Sequence, residues 1–200
     1  MVEISVLITN YNYGRFLGRC LRSVLTQSFP RNYYEVILVD DGSNDDSQVI
    51  YNFFTKDITV VQNQINLGLS KSLNVGLRRC RGRYVVRVDA DDYIHADMLN
   101  FLYRGHELLR DEYDAVSCDY FIVNEQGKNY VLTSAEKNPI ACGVMFKNDV
   151  FEKLGYYNEG IRVGEDLDLM SRFRKADMRL YNLNLPLYRY VHHGPSLTRA

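Results

Sequence analysis

The sequence lacks an excess of charge of either sign. Its 24 Lys and Arg stand against 25 Asp and Glu, a formal net charge of −1. A nucleic-acid partner, which needs a basic face to displace counterions, is therefore not expected. The one basic cluster, Arg78, Arg79, Arg81 and Arg83, is followed closely by acidic residues and reads as a solvated helix end. Cysteine is scarce as well. Cys20, Cys80, Cys118 and Cys142 are far apart and form no CxxC pair, which argues against zinc. Cys20 and Cys80 fall on expected helices and Cys118 and Cys142 in apolar runs, where free thiols are commoner than bridges; this fits a reducing compartment. No apolar run approaches the ~20 residues of a membrane span, and no signal peptide is read ahead of the first strand. A GxGxxG after that strand is missing, which argues against a dinucleotide enzyme, and the absence of GxxxxGK[ST] excludes a P-loop nucleotidase. Repeats, low-complexity tracts and linkers are absent too.

What remains is a soluble globular composition, 46% hydrophobic and 24% charged, in 200 residues, enough for one domain with a sizeable core. Glu3 to Thr9 reads as a buried strand, and Phe16, Leu17, Leu21, Val24 and Leu25 follow at helical spacing until Pro30 stops the pattern. A second strand is expected over Glu35 to Asp40. After it comes a helix through Val49, Ile50 and Phe53, capped near Asn44 or Asp45. Ile58 to Val61 is a third strand, Ser70 to Cys80 a helix, and Tyr84 to Val88 a fourth strand. This βαβαβαβ rhythm predicts a mostly parallel sheet with right-handed crossovers. After Asp92 the rhythm changes. Helices are expected over Ala96 to Leu109, Asn148 to Leu154 and Asp166 to Ala176. Strands are expected over Ala115 to Val123, Tyr130 to Thr133 and Leu187 to Val191. The chain reads as one domain, 1–92 forming a nucleotide-binding half and 93–200 an α+β half.

Two of the parallel strands end in carboxylates: Asp40-Asp41 after the second and Asp89-Ala90-Asp91-Asp92 after the fourth. Ligands of open parallel sheets bind beyond the carboxyl ends of the strands, so both clusters are expected to face one crevice. Alternate residues of an extended segment point the same way, which would aim Asp89 and Asp91 at one ligand. Neighbouring carboxylates repel unless a cation lies between them, and Mg²⁺ or Mn²⁺ bridging phosphate oxygens would answer that.

At these residues the chain resembles the family 2 glycosyltransferases, which have the GT-A fold. The resemblance covers nearly the whole chain. It is carried by Ser5-Val6-Leu7-Ile8-Thr9-Asn10-Tyr11-Asn12, Leu21-Arg22-Ser23-Val24-Leu25-Thr26-Gln27-Ser28 and Glu35-Val36-Ile37-Leu38-Val39-Asp40-Asp41-Gly42-Ser43. It continues in Asn66-Leu67-Gly68-Leu69-Ser70, Asp89-Ala90-Asp91-Asp92, Gly164-Glu165-Asp166-Leu167-Asp168 and His193-Gly194-Pro195-Ser196-Leu197-Thr198. It implies an α/β, Rossmann-like nucleotide-diphospho-sugar transferase fold, a mixed, mostly parallel central sheet flanked by helices. It also implies roles. Thr9, Tyr11 and Asp41 match the residues that hold the nucleobase, usually uracil. Asp89-Ala90-Asp91 matches the DxD motif, whose first Asp faces the ribose and last the metal, a Mn or Mg ion; Asp92 is placed to share that role. Asp166 matches the catalytic base, His193 a histidine that reaches the metal or diphosphate, with His192 as the alternative, and Lys71 a cation near the nucleotide. The family's processive members carry Gln-x-x-Arg-Trp, and this chain has no tryptophan. A single-addition transferase without spanning helices is therefore expected, and relatives that run on past His193 suggest a catalytic domain of something longer.

The implied reaction is inverting transfer from a UDP-sugar to a hydroxyl of a glycan or lipid-linked acceptor, with Asp166 taking the proton. The lack of a Ser-His-Asp or Cys-His arrangement fits a route without a covalent intermediate. A cytoplasmic setting is expected, compatible with peripheral association at the inner face of the membrane. The rival readings are a nucleotidyltransferase, although Asn10-Tyr11-Asn12-Tyr13-Gly14-Arg15 is a poor match to its Gly-rich basic loop, and a non-catalytic nucleotide-sugar binding module.

Overall fold

The computed structural model describes residues 1–109, 112–128 and 130–193. The first strand, β1 (Ile4–Asn10), is buried along its whole length. Its alternation supplies two cores. Ile4, Val6 and Ile8 pack on one face with Leu17, Leu21 and Val24 of α1 (Gly14–Leu25) and with α4 (Met98–Leu108). Leu7 packs on the other with Leu73 and Leu77 of α3 (Leu69–Leu77), and with α5 (Asp149–Leu154) and Leu169 and Phe173 of α6 (Glu165–Lys175). A strand covered on both faces needs a continuous apolar run, and β2 (Tyr34–Asp40) and β4 (Tyr84–Asp89) supply the same. Because successive side chains point to opposite faces, Val85 goes to the α6 side, and Arg87 and Asp89 follow it there.

Beyond β3 (Thr59–Gln62) the nine-stranded sheet adds β5 (Tyr93–Ile94), β6 (Ala115–Asn124), β7 (Val131–Thr133), β8 (Val144–Lys147) and β9 (Leu180–His192). The order is β3-β2-β1-β4-β8-β6-β9-β5, with β7 paired to β6. The pairs β3-β2, β2-β1, β1-β4 and β6-β9 are parallel; β8, β7 and β5 run against their neighbours. The expected mixed, mostly parallel sheet is therefore present. The chain steps outward from β1 to β3 and then returns to the other side of β1, so the strand order reverses between β1 and β4. That switch point opens a crevice at the strand ends. Thr9 and Asp89 lie there in register, as do Asn10 and Asp40.

Three details differ from expectation. The helix after Asp41, α2 (Ser47–Asn52), buries Ser47 and Tyr51, while Val49 and Phe53 are 57% and 79% exposed. The helix is only six residues long, so Phe53 falls beyond its last turn and the apolar spacing does not mark the buried face. Its N-cap is Asp46, one residue past the expected Asn44 or Asp45 and without a side-chain cap bond, while the Asp45 carboxylate accepts the Ser47 and Gly14 N–H groups. β5 and β8 are too short to show a period, and β9 begins well before Leu187, its first half interleaving Leu and Tyr with Asn in a largely exposed stretch that keeps no clean alternation. All four cysteines are free.

Candidate active site

The loops after β1 and β2 are stitched together. Asp40 accepts hydrogen bonds from Asn10 Nδ2 (3.0 Å) and Ser43 Oγ (2.5 Å), Ser43 Oγ accepts Asn12 N–H, and Asn12 Oδ1 accepts Asn44 N–H. Tyr11 is 44% exposed beside the buried Thr9. Asp41 is 4% exposed and organises a third loop: Oδ1 accepts Asn63 Nδ2 (2.9 Å) and Leu67 N–H (2.8 Å), and Oδ2 accepts Gly68 N–H (2.9 Å). Gly42, at φ +73°, lets that loop come close; a Cβ there would lie 2.6 Å from the Ile65 carbonyl carbon. A carboxylate has about four lone-pair sites, so Asp41 keeps one for a further donor. Lys71, next along α3, is exposed.

The acidic cluster after β4 divides. Ala90 and Asp91 form a turn closed by Asp92 N–H to Asp89 C=O (3.0 Å), so the segment is not extended. Asp89 receives Arg87 in a fork, Nε to Oδ1 at 2.7 Å and Nη2 to Oδ2 at 3.3 Å. Asp91 Oδ2 lies 2.7 Å from His193 Nε2. Burial and the nearby Asp89 push the Asp91 carboxyl up, with His193 opposing them. His193 is stacked on Phe16 at 4.9 Å and meets the edge of Tyr13. The Tyr13 hydroxyl is pushed up to about 12 by burial and then by Asp91, so it remains a donor at neutral pH. His192 is exposed and turned away. Arg19 reinforces the turn, donating to the carbonyls of Glu125 (2.9 Å) and Asp91 (3.4 Å).

Asp92, expected beside Asp91 at the metal, is drawn inward. It is 1% exposed, and its two oxygens accept Tyr188 OH (2.7 Å) and Val191 N–H (2.7 Å). Burial, then Asp91 and Asp89, hold its carboxyl well above the usual range. The Asp89, Asp92 and Cys142 side chains cluster within 4.8 Å. Both carboxylates there are already occupied by protein donors, however, and burial pushes the Cys142 thiol far up. Asp91 and His193 fit a divalent ion better. An octahedral ion with bonds of about 2.1 Å holds adjacent ligand atoms about 3 Å apart, so this oxygen–nitrogen pair needs only to part slightly.

At the opposite wall, Gly164 (φ +86°) turns the chain into α6. Glu165 is buried and accepts Arg87 Nη1 at 3.0 Å; Asp168 is paired with Arg172 at 2.6 Å. Among the described residues, Asp166 is the member of this acidic turn without an ion pair, and it is partly exposed. Sequence reasoning missed Arg87, Tyr13 and Phe16. For Arg87 a signal existed: a charged residue inside the apolar run of β4, two positions before Asp89. Gly194 to Thr198 of the last motif lie outside the described residues.

These features can be set beside known proteins. The chain is 28% identical to the uncharacterized glycosyltransferase EpsJ of Bacillus subtilis (strain 168), over 98% of this chain and 62% of EpsJ. Over 50% of its length it is 35% identical to the poly(ribitol-phosphate) beta-N-acetylglucosaminyltransferase TarS of Staphylococcus aureus (strain Mu50 / ATCC 700699), covering 18% of that protein. The structure of S. aureus TarS 1-349 in complex with UDP-GlcNAc superposes with a TM-score of 0.84 at 24% identity, over 98% of this chain and 60% of that one. The mannosyltransferase PcManGT from Pyrobaculum calidifontis, in complex with GDP-Man and Mn²⁺, does so at 0.74 and 20% identity, over 98% and 58%. The chain thus has the GT-A fold and spans less than two thirds of these relatives. The family model for glycosyl transferase family 2 matches residues 5–178, from the first strand past the helix that carries Asp166, and the chain belongs to that family.

Proposed function

We propose that this domain catalyses inverting transfer of a sugar from a UDP-sugar to a hydroxyl of a glycan or lipid-linked acceptor. The observation that carries the reading is a set of three differently held carboxylates: Asp41, buried with a lone pair to spare, Asp91 beside His193, and Asp166 without an ion pair among the described residues. Residues 1–92 would bind the nucleotide and 93–200 the acceptor. The relatives support a nucleotide-sugar donor, since TarS was solved with UDP-GlcNAc and PcManGT with GDP-Man and Mn²⁺.

In this reading Asp41 uses its remaining lone pair for the uracil N3–H, Tyr11 stacks on the base and Thr9 lines its edge. Asp89 accepts a ribose hydroxyl on the outer face of its Arg87-bound carboxylate, and Lys71 meets the nucleotide's negative charge. Asp91 and His193 would hold a Mn or Mg ion, which when bound acts as a Lewis acid that neutralises charge on the leaving diphosphate. Asp166 takes the proton of the acceptor hydroxyl as it attacks the anomeric carbon, a contribution of about 10²–10⁴ in rate. No helix among the described residues is long and apolar enough to cross a membrane. A cytoplasmic setting, with peripheral association at the inner face where the acceptor is lipid-linked, accords with the reading.

A thermal-shift screen of nucleotide sugars with Mn²⁺ tests it. A donor at 100 times its Kd stabilises the fold by about 2.7 kcal/mol, roughly 5–10 °C for a domain of this size. UDP-sugars should give that shift only with metal. A larger shift with a GDP- or dTDP-sugar would move the base assignment, and no shift with any donor would contradict the function.

A further inference from the structure

Arg87 lies inside a strand whose other inward residues are apolar, and it is 8% exposed. Burying a guanidinium is expensive unless it is fully paired, and an apolar residue would pack there at less cost in stability. Its three engaged donors are shared between two walls of the crevice: Nε and Nη2 go to Asp89 at the end of β4, and Nη1 goes to Glu165 in the first turn of α6. Glu165 is itself buried and directly precedes Asp166.

The approach to α6 makes this bridge consequential. Residues 155–164 form no helix or strand, and Gly164 enters α6 in the left-handed region. The stretch is anchored further back by Asn74, which binds the Tyr157 backbone, and by Ser70 Oγ, which donates to Ile161 C=O at 3.1 Å. The Asp168–Arg172 pair is internal to the helix. At the first turn itself, the bond from Arg87 to Glu165 ties α6 to the sheet.

We propose that Arg87 and Glu165 form a positioning clamp that sets Asp166 against the donor, Arg87 orienting Asp89 with one side of its fork and the base-bearing helix with the other. A planar guanidinium offers donors in fixed directions, which a lysine ammonium does not. The proposal rests on the reading of Asp166 as the general base, and neither clamp residue touches the reacting atoms.

The test is steady-state transfer with UDP-sugar and Mn²⁺, alongside the melting temperature and UDP affinity of each variant. Glu165→Met removes the acceptor while leaving Arg87 paired with Asp89. It should lower kcat by about 10- to 100-fold, the scale of a misplacement near 1 Å, with the donor KM changed less than about threefold. Glu165→Gln keeps a carbonyl for Arg87 Nη1 and should recover most of the rate. Wild-type kcat in Glu165→Met, or a Gln variant as slow as the Met variant, overturns the clamp. If Glu165→Met does not fold, Arg87→Lys decides: it keeps the charge and loses the fork, so kcat should fall, and an unchanged kcat refutes the proposal. Asp166→Asn run in parallel separates the two readings. An active Asp166→Asn defeats the base assignment, whereas an inactive one beside a fully active Glu165→Met defeats the clamp alone.

Discussion

Replacing Asp41 with alanine should damage stability and nucleotide binding together, in amounts that the structure sets. The carboxylate accepts three hydrogen bonds, two from the backbone of Leu67 and Gly68 and one from Asn63. Hydrogen bonds to a charged group contribute about 1.5–3 kcal/mol each when no substitute exists. Leu67 is 38% exposed, so water can replace part of the loss, and about 1 kcal/mol per bond is the better figure, roughly 3 kcal/mol in all. For a domain of this size that is a fall in Tm of about 6–12 °C. The same change removes the acceptor for the base N–H and frees the loop that frames it, so the Kd for UDP should rise at least about tenfold. Differential scanning calorimetry gives the first quantity, and isothermal titration well below the variant's Tm gives the second. A Tm loss under about 2 °C would refute the loop-organising role. A large Tm loss with unchanged UDP affinity would keep that role and sink the assignment of Asp41 to the base.

Asp91→Asn should abolish most of the Mn²⁺ dependence of UDP binding, because it removes the charge of the ligand pair with His193; calorimetry with and without Mn²⁺ showing the same dependence as the parent would contradict the site. Buried His106 donates one bond, Nε2–H to the Met145 carbonyl at 2.8 Å, and burial lowers its pKa from 6.5 to about 4. The unfolded chain therefore binds a proton that the folded chain refuses, so stability falls as pH drops through this window; 2.5 pH units correspond to roughly 3 kcal/mol, fully lost only below about pH 4. His106→Gln should flatten that part of the pH profile in urea unfolding between pH 7 and 4, and an unaltered slope would count against it.

The sheet's first half was legible because strands covered on both faces are largely apolar, and Ile4–Asn10 and Tyr34–Asp40 are buried along their whole length. Their acidic ends followed from where parallel sheets bind ligands. The second half was harder. Val144–Lys147 is too short to carry a period, and the early part of Leu180–His192 is largely exposed and mixes Leu with Asn, with Pro186 at a register shift. Within the site, adjacent aspartates gave no sign of their separate fates. Asp92 turns inward because Tyr188 and Val191 of the distant strand β9 supply its donors. The placing of His193 beside Asp91 likewise depends on ring contacts with Tyr13 and Phe16, some 180 positions away. Local spacing holds no record of such contacts.

Asp166→Asn shows whether Asp166 takes the acceptor's proton. Asparagine keeps the size and polarity of the side chain but has no basic oxygen for a proton. Asp166 makes no ion pair among the described residues, so the fold has little to lose. Measured at saturating UDP-sugar, Mn²⁺ and acceptor, the variant should bind UDP as the parent does and lose about 10²-fold or more in kcat. Transfer at the parent's rate would contradict the account.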